Sequence, residues 1–310
     1  MGLPDTVTKA YMRENTVFAD AFNYFLYGGR QVIKPEWLRE LDATELAILP
    51  DDAIQRYRDV LKAAVIMQDD KSAYILLGIE NQTDIHYAMP VRNLIYDALQ
   101  YGRQVADITA RHKTDKNKGD GRKRAEYLSG FYREDKLQPV ITLVVHFGTE
   151  KWDGPLSLHE MMAIRDERLL CFVQDYKIHL IDPAGLTPDE LNQFSTSLRE
   201  VMGFIKYSGD KDGLEAFVHN NSHKCMEASA AQVIRAITNT PIEIPENTEV
   251  VDMCKAIEEM INDGREEGKL EILAGLVRDG ILSIQDAAIR ANMTEHDFEE
   301  GIRKFSITNA

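Results

Sequence analysis

The chain has 310 residues, of which 44% are hydrophobic and 28% charged, and carries a net charge of −15. That composition excludes wholesale disorder and allows a core of ordinary size. The acidity excludes a surface coated in nucleic acid, so a polyanion partner has to be met locally.

Residues 8–27 predict a helix, with Val17, Phe18, Ala21, Phe22 and Phe25 at helical spacing and Gly28-Gly29 as its stop. Residues 57–66 (YRDVLKAAVI) and 72–81 (SAYILLGIEN) predict two strands joined by a hairpin turn at MQDDK. Residues 89–105 predict a helix with Pro90 in its first turn. The stretch from Thr109 to Glu134 has little apolar content and predicts a long exposed loop. Residues 138–148 and 169–183 predict two more strands, the second ended by Pro183. From Thr187 the pattern turns helical: residues 187–207 open with a Thr cap followed by Pro188, and further helices follow over 211–240. Pro241 and Pro245 frame a linker, residues 246–278 predict one long acidic helix, and residues 283–302 predict two short helices capped by Ser283 and Thr294. This order predicts an α/β core over 1–185, a helical extension packed on it over 186–240, and an acidic helical tail over 241–310.

Charge is unevenly spread. Residues 241–310 hold 16 acids and 7 bases, whereas residues 111–124 hold 7 bases and 2 acids. The seven bases are Arg111, Lys113, Lys116, Lys118, Arg122, Lys123 and Arg124. They can grip DNA phosphates by releasing counterions; the competing reading is a solvated loop. The cysteines Cys171, Cys225 and Cys254 are odd in number and form no CxxC, which fits a reducing compartment. No apolar run approaches the roughly 20 residues that span a bilayer. The expectation is a soluble cytoplasmic protein with no membrane partner.

Chemistry concentrates in residues 57–104. Asp59 lies on the first strand of the hairpin and Glu80 at the end of the second, so pairing sets them side by side. Gln82 shares the strand face of Glu80. Two carboxylates at contact distance repel unless a cation sits between them. Hard oxygen ligands favour Mg²⁺ or Mn²⁺, which can activate water and stabilise the leaving oxygen of a phosphodiester. The bland alternative is two acids at strand ends facing solvent. Against it, Glu80 ends a mostly apolar strand, where a charge is more often placed for function. Lys62 falls on the other strand face. His219, His223 and Cys225 are spaced like half a zinc site without a second pair. No P-loop, GxGxxG, GxSxG or HExxH occurs.

The segments DVL (59–61), YILLGIENQT (74–83) and MPVRNLIYDALQY (89–101), in that order and spacing, resemble the recombination-promoting nuclease (Rpn) or YhgA-like transposase family. That group falls within the PD-(D/E)xK nuclease superfamily. NTVFADAFNYFLYGG (15–29) and residues 128–162 are similar to the same family. The resemblance implies a restriction-endonuclease-like α/β fold, a mixed central sheet flanked by helices, followed here by an all-helical C-terminal region. It implies a Mg²⁺-dependent DNA endonuclease acting in recombination or transposition. On that reading Asp59, Glu80 and Gln82 are catalytic, and Asp59, Glu80 and the backbone carbonyl of Asn81 hold the metal. Asp20 or Glu14 adds an acid from the first helix, and Arg92, Tyr96 and Gln100 support the site from the helix that follows the hairpin. Gln82 stands where the superfamily carries a lysine; it can orient a water but supplies no positive charge to a developing oxyanion. The implied partner is DNA, in a bacterial cytoplasm and at the nucleoid when bound. The helical tail is a candidate for homo-oligomer contacts. Its last helix (TEHDFEEGI) lacks the bases a DNA reader needs. Two alternatives stand: a catalytically weak DNA-binding or assembly protein on the same fold, and an interaction module built on the acidic tail.

Overall fold

A computed structural model describes residues 2–41, 44–49, 52–57, 59–68, 71–114, 124–219, 225–246, 248–252, 269–270 and 272–298. The N-terminal helical pattern is realised as two helices, α1 (Leu3–Arg13) and α2 (Asn15–Tyr27), broken at Glu14, whose backbone is extended. The break lets Tyr11 and Met12 enter the same core as Val17, Phe18 and Phe22. Lys62 closes the joint: its ammonium donates to the carbonyl of Arg13 at 2.5 Å and to Oδ1 of Asn15 at 2.6 Å. Burial lowers the pKa of this lysine. Gly29 has φ +84°, and a Cβ there would meet the carbonyl oxygen of Gln193 at 2.5 Å, so both conformation and space require glycine.

Five strands form the central sheet: β1 (Arg39–Glu40), β4 (Val60–Gln68), β5 (Lys71–Gln82), β6 (Val140–His146) and β7 (His179–Ile181), adjacent in that order. β2 (Thr44–Leu49) and β3 (Asp52–Tyr57) form a separate hairpin between β1 and β4 that periodicity did not signal. β4 pairs antiparallel with β1 and β5, while β6 pairs parallel with β5 and β7, so the sheet is mixed. The parallel step from β5 to β6 is bridged by α3 (Met89–Thr114). Helices cover both faces, which is why β5 reads as a near-continuous apolar run. Ile75, Leu77 and Ile79 join the large core with Leu143 and Val145. Val144 faces the opposite way, into a smaller core with Met89, Trp152 and Ile178. Glu80 pairs in register with Val144 and so shares the face that α3 covers.

Several expectations are corrected. The segment 109–134 is not one loop: α3 runs on to Thr114, and α4 (Arg124–Ser129) is helical, while residues 115–123 lie outside the described residues. The strand expected over 169–183 shrinks to β7. Residues Glu167–Leu170 form α5 and Phe172 is 88% exposed, because β-prone residues make a strand only where a neighbouring edge is within reach. The helix expected over 187–207 splits into α6 (Pro188–Leu191) and α7 (Leu198–Lys206).

The helices and strands that follow belong to the large core. α8 (Lys211–His219), β8 (Cys225–Glu227) and α9 (Ala228–Thr238) precede β9 (Val250–Asp252), which pairs antiparallel with β8. Ile242 and Val251, expected in the tail, are buried in the large core beside Val233 and Ile234. Farther on, Leu273, Ala287, Ala288 and Phe298 make a small separate cluster. The expected caps are present there: Ser283 and Thr294 accept from the N–H groups of Asp286 and Asp297. Among the described residues no helix is long and apolar enough to cross a membrane.

Candidate active site

The register of the β4–β5 hairpin, Val60 opposite Ile79, brings the residue before β4 to the end of β5. Asp59 occupies a bend there. Its Oδ2 accepts the N–H of Asn81 at 2.9 Å, and its Oδ1 lies 3.4 Å from Nζ of Lys9 on α1. Glu80 has no solvent exposure, and its Oε2 lies 3.0 Å from the guanidinium of Arg92. The side-chain amide of Gln82 donates to the carbonyl of Asn81 at 2.8 Å. Each of the three oxygen ligands expected from the sequence therefore meets a nitrogen donor of the protein. The like-charge repulsion expected between Asp59 and Glu80 is relieved by separate cations, Lys9 and Arg92.

Arg92 is held on two sides. Besides Glu80, it meets Tyr96 one turn along α3, its Nε donating to the phenol oxygen at 3.2 Å. Burial works against the charge of the guanidinium, but Glu80, Tyr96 and Asp59 together push its pKa up. Burial, then Glu80, raises the pKa of Tyr96 over the opposing pull of Arg92. Both shifts favour an arginine cation beside a neutral phenol, with the guanidinium facing the Glu80 carboxyl.

Asp59, Gln82 and Arg92 border a cleft of about 230 Å³ lined by Asp5, Lys9, Asp59, residues 81–84 and Arg92, while Glu80 and Tyr96 are buried behind that lining. Asp5 and Lys9 were not foreseen: Asp5 precedes the helix expected over residues 8–27, and nothing in the reading of that helix marked Lys9. The available signal was their i, i+4 spacing just after Pro4. Thr83 ties the β5 end to α1 by donating to Oδ1 of Asp5 at 3.0 Å. His146, opposite Gln82 on β6, lies with Nδ1 3.2 Å from the Gln82 carbonyl oxygen and Nε2 2.9 Å from that of Glu150.

A metal ion fits this cleft in kind. Asp59 and the Asn81 carbonyl are hard oxygen donors, with the Glu80 carboxylate buried next to them in the chain, and the side-chain amide atoms of Asn81 are buried with no hydrogen-bond partner among the described residues. Among the described residues no group of three or more His, Cys, Asp or Glu is gathered to hold an ion. Mg²⁺ needs fewer, since it binds through one or two carboxylates and keeps waters for a substrate phosphate.

Other expected site residues lie elsewhere. Asp20 is buried in α2 and accepts from the N–H and hydroxyl groups of Ser195 and Thr196 at 2.7–3.0 Å, pinning the break between α6 and α7. Its carboxylate is spent on that loop. Glu14 sits at the break between α1 and α2, and Gln100 is buried farther along α3; neither lines the cleft. Arg111 and Lys113 are exposed on the last turn of α3, and Arg124 is exposed at the start of α4. Lys116, Lys118, Arg122 and Lys123 lie outside the described residues, as does His223 of the half zinc site.

A family model described as "Putative transposase, YhgA-like" matches residues 38–232, more than half of the chain. The chain belongs to the YhgA-like transposase family. No curated protein and no solved structure matches it. The YhgA-like match runs from β1 into α9, so it contains Asp59, Glu80, Gln82 and Arg92. Asp5 and Lys9 of α1 lie upstream of it.

Proposed function

We propose that this YhgA-like chain is a divalent-metal-dependent DNA endonuclease of the PD-(D/E)xK type, acting in recombination or transposition. The observation that carries the reading is the pairing of Asp59 and Glu80 across one hairpin, each with its own cation, at the carboxyl end of a parallel strand where α/β sheets bind ligands. Asp59, Glu80 and the Asn81 carbonyl are the residues that would hold Mg²⁺ or Mn²⁺. Such an ion supplies an activated water and charge stabilisation for the leaving oxygen. Gln82, tethered to Asn81, would orient that water. Arg92 faces the Glu80 carboxyl, and Tyr96 orients Arg92. The exposed Arg111 and Lys113, at the opposite end of α3 from Arg92, and Arg124 of α4 would supply phosphate contacts away from the cleft.

The test is nicking of supercoiled plasmid by protein free of contaminating nuclease, with Mg²⁺ or Mn²⁺ and with EDTA. Metal-dependent nicking that EDTA abolishes is the expected result. If no nicking occurs with either ion, the fold serves DNA binding or assembly instead. Binding has its own measure. Changing Arg111, Lys113 and Arg124 to Ala should weaken duplex affinity and flatten its salt dependence by about 0.9 log units per lost phosphate contact.

A further inference from the structure

We propose that Lys9 is a catalytic residue of this cleft, the ammonium that contacts the scissile phosphate in place of the cation that Gln82 does not provide. The inference rests on the nuclease reading above and adds to it a residue outside the family match.

Three cationic or amide side chains on the β4, β5 and α3 side are already committed. The Gln82 amide is neutral and donates to the Asn81 carbonyl. The Arg92 guanidinium is held between Glu80, which solvent does not reach, and Tyr96. Lys62 is fully buried and spends its ammonium on Arg13 and Asn15 at the helix joint. Lys9 lines the cleft as Gln82 and Arg92 do and is about as exposed as Arg92, 22% beside 27%, but it is held more loosely, by an ion pair with Asp59 that is long, at 3.4 Å. An ammonium on a four-carbon stem is a compact charge that moves readily between neighbouring oxygens.

The base of that stem is fixed. Thr8, Tyr11 and Met12 of α1 are buried. Thr83 reaches across to Asp5, one turn before Lys9, and Lys62 holds the last turn of the helix. Lys9 is therefore presented to the cleft by a rigid element while its head stays free to turn. Oδ1 of Asp59 serves either this ammonium or a divalent cation. An ammonium given up by Asp59 remains in the cleft, beside the place where phosphate oxygens must lie.

In the hydrolysis, a water oxygen bonds to phosphorus, one P–O ester bond breaks, and the water's proton ends on the departing alkoxide. Charge builds on the non-bridging and leaving oxygens. Lys9 offsets that charge by hydrogen bonding and keeps its own proton throughout.

The test compares wild type, Lys9→Met, Lys9→Arg and Lys9→Met/Gln82→Lys in plasmid nicking at saturating Mn²⁺, with Mn²⁺ affinity measured directly by titration calorimetry. Lys9→Met should nick about a hundredfold more slowly, while its Mn²⁺ affinity stays the same or tightens because Asp59 loses a competitor. Lys9→Arg should retain part of the rate, and the double variant should recover at least part of what Lys9→Met lost. Nicking by Lys9→Met at the wild-type rate overturns the assignment. So does a deficit that disappears once weakened Mn²⁺ binding is saturated, because Lys9 would then only position Asp59. A wild-type chain that never nicks fails the nuclease reading itself, a result distinct from either. Should Lys9→Met lose cooperative unfolding, Lys9→Gln carries the same comparison.

Discussion

The guanidinium of Arg92 lies 3.0 Å from Oε2 of Glu80, a carboxylate that solvent does not reach. The two residues come from consecutive elements, and the pair locks the start of α3 to the end of β5. Removing one partner leaves a buried charge uncompensated. Arg92→Met should cost about 3–5 kcal/mol in denaturant unfolding. Arg92→Met/Glu80→Gln should recover much of that loss, since no isolated charge remains. Equal stability of wild type and Arg92→Met would show that Glu80 is neutral in the fold.

Asp59 has a structural bond as well as an expected catalytic role, and substitutions should separate them. Asp59→Ala leaves the Asn81 N–H without its acceptor and should destabilise the chain by about 1–3 kcal/mol. Relief of carboxylate repulsion alone would have had the opposite sign. Asp59→Asn keeps an acceptor oxygen and should unfold close to wild type. Both variants, and Glu80→Ala, should lose Mg²⁺-dependent nicking while binding duplex DNA near wild-type strength. Retained nicking by Asp59→Asn would remove Asp59 from the metal ligands.

Alkaline stability follows from three tyrosines. Burial raises the phenol pKa of Tyr11, Tyr24 and Tyr96, helped by Glu227, Glu190 and Glu80 respectively, and Tyr24 is pushed up to about 12. A folded-state pKa above the unfolded value of ~10 means the native chain keeps its protons longer. That stability is fully present below the unfolded pKa and is lost as pH rises through the folded one. The denaturation midpoint should therefore fall as pH rises above ~10. Tyrosinate absorbance should lag behind that of the unfolded chain. The Tyr11 hydroxyl is buried without a hydrogen-bond partner among the described residues. Tyr11→Phe should thus be neutral or stabilising by about 1 kcal/mol at neutral pH, and should soften the alkaline loss.

The end of the core can be located by truncation. A chain stopped after Asn239 loses β9, Ile242 and Val251. Two buried aliphatic side chains are worth about 1.5–3 kcal/mol each. That truncation should unfold at markedly lower denaturant, whereas one stopped after Asp252 should keep a cooperative transition close to the full chain. Identical transitions for the two would show that residues 240–252 add nothing to the core.

The sequence by itself determined the hairpin and its contents. The alternation and the apolar run of 72–81 specify a strand buried on both faces, and the short turn at 67–71 fixes which residues of the two strands can meet. From that alone Asp59 falls beside Glu80, and Gln82 shares the face of Glu80. The caps at Thr187, Ser283 and Thr294 were equally legible, because a capping side chain bonds within its own turn. Of the two cations, Arg92 was reached only through the family resemblance, and Lys9 was not legible. Lys9 reaches Asp59 only because α1 packs near the start of β4, and nothing local to residues 3–13 encodes that approach. Asp20 shows the same limit in reverse: an acid on the first helix looked available to the site, but tertiary folding brought Ser195 and Thr196 to it from 175 residues away. The strand expected at 169–183 failed for a related reason, since β-propensity describes a fit to a neighbouring edge and only the fold supplies one. Local periodicity and turn chemistry are fixed by neighbours in the chain. Which charge meets which across helices and sheet depends on packing between distant segments, and here that packing decided whether each acid serves the cleft or the scaffold.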